Sequence, residues 1–332
     1  MNYIIFDLEW NQADRKMEED PGLPFEIIEI GAVKLNERFE KIGEFSRLIR
    51  PTVYHSMHSI TQDIIHISMR ELRREQTFPA VMRHFRKWCG EECMFGTWGP
   101  LDLTELQRNM EYFGFEPLTD GPVPFLDIQK LYALAYEPED AKKRRALSVA
   151  VENLDIEEDI PFHRAFSDAY YTAKVLQKIA TEPFAERILQ KISFDIYHIP
   201  ADKKKEVHIT FDTYAKYISR EFANKQTAME DREVSSTKCY LCRRNARKKI
   251  RWFTPNGKHY YSLSVCSKHG FIKGKIRMKK TEDDKVFVVK TMKVVTEEQA
   301  QAVYDRQERA RELRRQHRKS KSKNKKEKGA GA

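Results

Sequence analysis

The sequence predicts an α/β protein, with a mixed sheet flanked by helices in its first half and a small β-rich module and basic helical tail in its second. Three observations carry this expectation. Apolar, β-rich runs crowd the stretch from Tyr3 to Ile49, and helical and strand-like segments then alternate as far as Ile179, the order that a mixed sheet with packed helices requires. A cysteine pair and a cysteine–histidine pair recur later at metal-knuckle spacing. The balance of charge reverses between the two halves.

The elements follow from local pattern. Tyr3 to Glu9 (YIIFDLE) reads as a strand, followed by a polar loop bearing Pro and Gly through Pro24. Glu26 to Leu35 and Lys41 to Ile49 add two more strands, close enough in sequence for an antiparallel meander. Helical periodicity covers Phe78 to Trp88, a short strand Cys93 to Trp98, a helix Leu103 to Phe113 and a strand Val123 to Leu126. Leu147 to Leu154 and Ala169 to Ile179 complete the alternation, with Ala169, Ala173, Leu176 and Ala180 on one helical face. Residues 183–232 are polar and read as a connector with helical stretches, notably Phe211 to Phe222. From Cys239 to Val295 the pattern turns β-like again. Thr296 to Gln316 opens with a Thr cap and early glutamates, as a helix does, and the Lys-rich end that follows reads as disordered.

At 332 residues the chain has room for one α/β domain and an appended module. Apolar residues make up 40%, enough for a sizeable core, which argues against disorder throughout. The start lacks a basic segment followed by a long apolar run, and no stretch approaches the length of a membrane span, so the expectation is a soluble cytoplasmic protein with no membrane partner. Five cysteines, an odd number with three of them at metal-like spacing, argue against a secreted disulfide framework. Residues 1–180 hold 22 Lys and Arg against 31 Asp and Glu, a balance of −9, while the remainder holds 38 against 19, a balance of +19. A basic half joined to an acidic one suggests attraction to a polyanion by the second part and a different task for the first.

Asp7 and Glu9 stand two apart on the first strand, so both side chains leave the same face, where a carboxylate pair wants a cation. On its own such a pair is more often a surface feature. Two further pieces accompany it in order, TWGPLD ending at Asp102 and HRAFSD carrying His163 and Asp168. Together with EIIEIGAV after the first motif and Ile60–Thr61, this resembles the DEDDh family of 3′-to-5′ exonucleases, which shares the ribonuclease H-like fold. The resemblance covers residues 1–180. It implies that Asp7, Glu9, Asp102 and Asp168 bind two Mg²⁺ or Mn²⁺ ions, that His163 is the general base, and that Leu8, Trp10, Ile60 and Thr61 contact the 3′-terminal nucleotide. The chemistry agrees independently: phosphodiester hydrolysis needs an activated water and relief of charge on attacking and leaving oxygens, which a metal pair about 3.5–4 Å apart provides. Carboxylates are the hard ligands such ions take, and a histidine titrating near neutrality can accept the proton. Trp10 stands where the family often has a smaller residue, and TWGPLD lacks the Asn common before the third acid. The TWGPLD form is closest to the Eri-type exoribonucleases, which favours single-stranded RNA 3′ ends as substrate.

Cys239 and Cys242 form a CxxC, and Cys266 and His269 a CxxH, after an intervening β-rich stretch; the set reads as one structural, tetrahedral Zn²⁺ site. Arg243, Arg244, Arg247, Lys248, Lys249 and Arg251 crowd the first knuckle, with Trp252, Phe253, Tyr260 and Tyr261 behind, so the basic residues could meet phosphates while aromatics either stack on bases or form the module's own core. Cys89 and Cys93 read as ordinary core or helix-end residues. The expected organisation is an exonuclease domain over 1–182, a helical connector over 183–232, a zinc-ribbon-like module over 233–295 and a basic helix and tail over 296–332. A DNA exonuclease, and an inert RNA- or ribosome-binding protein on the same fold, are the competing functions; the second is disfavoured because all five catalytic positions are filled.

Overall fold

The first strand organises the N-terminal half. In the computed structural model, which describes all residues except 16–17, 60, 63–66, 141–142, 212, 282 and 330–332, and side chains of the last helix only as far as Gln316, the chain divides into two compact units, Met1–His198 and Ile199–Ala332. Strand β1 (Asn2–Asn11) pairs antiparallel with β2 (Glu26–Leu35) and parallel with β4 (Cys93–Thr97). The strand β3 (Lys41–Leu48) lies outside β2; β5 (Val123–Asp127) and β6 (Ser193–Asp195) follow β4, giving the order β3-β2-β1-β4-β5-β6. An antiparallel meander joined to parallel strands is the ribonuclease H-like arrangement that the motifs implied.

The helices of this unit are α1 (Met69–Leu72), α2 (Phe78–Cys89), α3 (Leu101–Tyr112), α4 (Ile128–Tyr136), α5 (Leu147–Asn153), α6 (Ala165–Thr181) and α7 (Ala185–Leu189). The period-two alternation of β1 feeds both layers. Ile4, Phe6 and Leu8 enter a core with Phe85 of α2 and Leu106 of α3, and Ile5 enters the opposite core with Leu131 of α4 and Tyr171 and Leu176 of α6. Asp7 and Glu9 continue the row of Ile5 along the face that α6 covers. Helix α4 is absent from the sequence expectation although its cap is a local signal: Asp127 accepts a hydrogen bond from the Lys130 amide at 3.1 Å. Cys89 is buried and Cys93 half-buried in this core, as expected.

Residues 183–232 depart from the helical connector. Through His198 they complete the first unit, with α7 and β6. Beyond it, β7 (Val207–Thr210) and β8 (Ala215–Ile218) form a hairpin closed by the Phe211 amide donating to the Tyr214 carbonyl at 2.8 Å, so Phe211 to Phe222 contains a strand rather than a helix. Among the described residues there, α8 (Lys225–Glu230) and α9 (Arg232–Ser235) are helical, with one short 3₁₀ turn. The alternating side chains of Val207 and Ile209 carry the strand signal, which the surrounding polar residues mask.

The second unit is an antiparallel sheet in the order β7-β8-β12-β11-β10-β9, with β9 Arg247–Phe253, β10 His259–Cys266, β11 Gly270–Lys280 and β12 Val286–Val294. One face packs against α8 and α9 through Ala228, Val234, Ile276 and Val288. On it, Trp252 donates its indole N–H to the Ser235 carbonyl at 2.9 Å and lies over Gly274, where a Cβ would stand 2.5 Å from the ring. The last helix, α10 (Glu297–Gly329), runs beyond the expected end near Gln316; its Lys-, Arg- and Glu-rich sequence carries no Gly or Pro breaker before Gly329. Ala300 and Val303 of α10 pack on Ile250 and Leu263. Among the described residues, no helix is long and apolar enough to cross a membrane.

One glycine sets how closely α6 approaches the sheet. Gly31 of β2 lies opposite Asp7, and a Cβ there would stand 2.0 Å from the Phe166 amide nitrogen and 2.1 Å from the Ala165 carbonyl carbon. Backbone cannot yield as a flexible side chain can. Gly31→Ala should therefore lower unfolding stability by about 3 kcal/mol by displacing the start of α6, read as a shift of the urea midpoint; an unchanged midpoint would show that the contact is not that close in solution.

Candidate active site

The carboxylates meet at the C-terminal end of β1. Asp7 and Glu9 come from the strand, Asp102 from the first turn of α3 and Asp168 from the first turn of α6. Ligand oxygens of Asp7, Glu9 and Asp168 all lie within 4.8 Å of one another, a spacing that could hold a cation. Asp102 is 7% exposed and is the strongest charged influence on Asp7.

Burial and mutual repulsion hold these groups towards their protonated forms. Burial pushes Glu9 up to about 8, reinforced by Asp168, Glu29 and Asp102. Asp102 is pushed to about 7 by burial, against the opposing hydrogen bonds of its own amide and that of Leu8. Asp168 is pushed to about 6 by burial, tempered by the His163 charge and amide. Asp7, which faces all of them, is raised well above the carboxylate range. The Oδ1 atom of Asp168 is buried without a hydrogen-bond partner, a costly state for a carboxylate unless a cation meets it. Four hard oxygen donors with excess negative charge fit divalent Mg²⁺ or Mn²⁺.

The sequence reading missed the group that anchors this cluster. Glu29 lies directly across from Glu9 on β2 and is 1% exposed, so two like charges face each other across the ladder. Arg164 closes on Glu29 with two hydrogen bonds of 3.0 and 2.8 Å. The fork holds the segment between His163 and Asp168 against β2, and its charge also lowers Glu9. His163 itself is exposed and takes a left-handed backbone, φ 67°, which costs a non-glycine residue about 1 kcal/mol. In that conformation its amide serves the Asp168 carboxylate.

The expected nucleotide contacts are placed unevenly. Leu8 is 3% exposed and its side chain belongs to the core, so contact by that side chain is not available. Trp10 is half-buried beside Phe25, ring centroids 5.5 Å apart, just after a bulge in the β1–β2 ladder. Thr61 donates to the Trp10 carbonyl at 3.4 Å. Ile60 lies outside the described residues. Asn11, fully buried, tethers the preceding loop by donating to the Ser56 carbonyl at 2.7 Å and accepting from the His58 amide at 3.0 Å.

In the second unit Cys239, Cys242, Cys266 and His269 converge with ligand atoms within 4.8 Å. Cys239 Sγ lies 3.4 Å and Cys266 Sγ 3.7 Å from His269 Nδ1, and the Cys242 and Cys266 sulfurs are 3.6 Å apart. Those separations match the edges of a tetrahedron, about 3.5–3.8 Å, built from ordinary Zn–S and Zn–N bonds. Each knuckle ends on a left-handed residue, Arg243 (φ 55°) and Gly270 (φ 75°), which turns the chain back towards the ligands. Amides of Lys268 and His269 hold the Cys266 thiol down to about 6, towards the thiolate a metal needs. The aromatics behind the first knuckle are committed to packing: Trp252 lies over Gly274, and Tyr261 is buried below Arg306.

Because Glu9, Asp102 and Asp168 bind protons more tightly folded than unfolded, unfolding releases protons between the free carboxylate range near ~4 and pH 8. Stability of the metal-free protein should therefore fall as pH rises through that window. Melting temperatures between pH 5 and 8 should show this fall, the slope should flatten in Asp7→Asn/Glu9→Gln, and added Mg²⁺ should raise the melting temperature more at pH 8 than at pH 5. A slope identical in the double variant would refute the electrostatic account.

Residues 4–176 match the family model RNase_T, described as exonuclease. PolC-type DNA polymerase III of Staphylococcus haemolyticus (strain JCSC1435) is 22% identical over 180 residues, which is 54% of this chain and 11% of the polymerase; that of Staphylococcus epidermidis (strain ATCC 12228 / FDA PCI 1200) gives the same figures. The chain thus matches only about a tenth of the length of these relatives. Among solved structures, the nuclease domain of 3′hExo, a DEDDh family member, bound to rAMP, is 19% identical, covering 55% of this chain and 94% of that one at a TM-score of 0.48. Exonuclease I of E. coli in complex with a dT13 oligonucleotide is 15% identical, covering 57% and 43% at 0.44. With the model spanning just over half its length, this chain belongs to the RNase_T exonuclease family.

Proposed function

We propose that the protein is a 3′-to-5′ exonuclease that hydrolyses single-stranded RNA from its 3′ end. The reading is carried by one observation, the convergence of Asp7, Glu9 and Asp168, with Asp102 acting on them, around a buried Asp168 oxygen that has no protein partner. Asp7, Glu9, Asp102 and Asp168 would hold two Mg²⁺ or Mn²⁺ ions, which supply neutralisation of phosphate charge and a lowered water pKa when bound. His163, exposed at the start of α6, takes the proton from the attacking water. The Glu29–Arg164 fork fixes where His163 and Asp168 stand. Trp10 and Thr61 line the approach for the terminal nucleotide. The resemblance of TWGPLD to Eri-type enzymes favours RNA; the polymerase relatives favour DNA 3′ ends as the second reading.

The second unit, in this reading, binds one structural Zn²⁺ through Cys239, Cys242, Cys266 and His269 and retains the substrate through its positive charge. Free thiols throughout suit a reducing cytoplasm.

On 5′-labelled single-stranded RNA and DNA of the same sequence, a Mg²⁺- or Mn²⁺-dependent ladder should shorten from the 3′ end, faster on RNA. Asp7→Ala should abolish it and His163→Ala should slow it by about 10³-fold. Tight binding with no ladder on either substrate would instead favour the inert binding protein, and a faster DNA ladder the second reading.

One equivalent of zinc should be released per chain on thiol modification, detected colorimetrically. Cys266→Ser should lose the metal and lower the melting transition of the second unit by about 10 °C or more. A purified chain free of zinc would remove this part of the reading.

A further inference from the structure

None of the six strands in the second sheet contains an aspartate or a glutamate, although charged residues make up a third of the chain. Lysines and arginines occupy these strands instead, and the register shows where they point. On β11, Lys273, Lys275, Arg277 and Lys279 alternate with Ile272, Gly274, Ile276 and Met278, whose burial fixes the latter set on the inner face. The four cations therefore leave the other face in one row. Lys293 lies directly across from Lys273, and Thr291, the partner of Lys275, lies across from Lys216 on β8. On the other flank His259 stands opposite Arg277 and Tyr261 opposite Lys275. Helix α10 covers the β9–β10 side through Ala300 and Val303 and adds Arg306, whose guanidinium lies 4.5 Å from the Tyr261 ring centroid. Lys275, Arg277 and Lys293 remain exposed.

The charges that act on Lys273 and His259 are positive. Burial and then the charges of Arg306, Lys275 and Lys293 lower the Lys273 ammonium, and burial with Lys275, Arg277, Lys258 and Arg306 lowers His259. Folding thus sets like charges side by side on strands that carry no carboxylate. A polyanion neutralises them. Alternate residues on one strand are spaced about 6–7 Å apart, close to the separation of successive phosphates along an extended nucleic-acid strand. The aromatics that would read bases are packed away: Tyr261 is 9% exposed and Trp252 lies over Gly274.

We propose that the open half of this sheet face, built on Lys273, Lys275, Arg277, Lys279 and Lys293, is a phosphate-tracking surface that holds a nucleic-acid strand along β11 without reading its bases. This deepens, and rests on, the reading of the second unit as substrate-retaining. It predicts affinity that is sequence-independent and steeply dependent on salt, because each phosphate contact on a single strand releases bound counterions.

The test uses the full-length protein with Lys275→Gln, Arg277→Gln and Lys293→Gln combined, and a control with the same loss of charge at exposed positions of the same unit outside the face, Lys203→Gln, Lys204→Gln and Arg232→Gln. Binding of a fluorescein-labelled 30-nucleotide oligo(U) is read by anisotropy across a salt series in EDTA, so that the face is measured without turnover and whether or not the chain is a nuclease. Circular dichroism confirms that both variants fold. The face variant should bind about 50-fold more weakly at 0.1 M salt, with the slope of log Kd against log salt smaller by about 2, and oligo(C) should behave like oligo(U). The control should stay near the parent. Parental affinity and slope in the face variant, or an equal loss in the control, would overturn the proposal. Loss confined to the face variant in a chain that cleaves nothing would uphold the surface while removing the exonuclease reading.

Discussion

Five carboxylates share the end of one strand, and the first unit is organised around tolerating them. Burial and neighbouring charges raise the cost of ionising Asp7, Glu9, Asp102 and Asp168, and among the described residues only Glu29 has an ion-pair partner, Arg164. Two helix starts, those of α3 and α6, aim their partial positive charge at the same place. These devices reduce the repulsion without cancelling it, as the upward displacement of Glu9, Asp102 and Asp168 shows. Residual negative charge held in fixed geometry is what a divalent cation site requires, since a fully neutralised cluster would have little affinity for one.

The geometry follows from how far the α6 backbone can descend. Asp7 and Gly31 are partners across the β1–β2 ladder, and the missing side chain at Gly31 lets Ala165 and Phe166 rest on the sheet. Three residues on, Asp168 then faces the β1 pair. The left-handed His163 and the Arg164–Glu29 fork act on the same segment from its other end, so strain at one residue is balanced by a two-point ion pair to the buried Glu29 at the next. Catalytic position here comes from backbone approach as much as from side-chain identity.

That division explains what the sequence made legible. Asp7 and Glu9 announce themselves by alternate spacing on an apolar strand, Asp102 and Asp168 by helix starts in ordered motifs, and the cysteine–histidine cluster by paired knuckles. Gly31 and Glu29 sit within EIIEIGAV and look like ordinary strand residues; their significance depends on which segment lies above them, a long-range fact that local pattern does not contain. Leu8 shows how alternation divides a motif, since it sends that side chain into the core opposite Asp7 and Glu9. The β7–β8 hairpin was hidden for a different reason. Only half the positions of β7 are apolar, and a short strand of that kind takes its identity from the sheet it joins.

The two units invert one another electrostatically, and the inversion has one physical logic. The first concentrates acid whose ionised form a cation would neutralise; the second spreads base over a sheet whose strands lack acid. Neither arrangement is explained by folding stability, because both set like charges side by side. In the proposed reading each deficit has its own remedy: divalent ions for the carboxylates and phosphates for the lysines. The cluster of Cys239, Cys242, Cys266 and His269 fits this account as well. In a small sheet carrying so much like charge on one face, a metal cross-link through those four ligands would add stability without placing any acidic residue on the face.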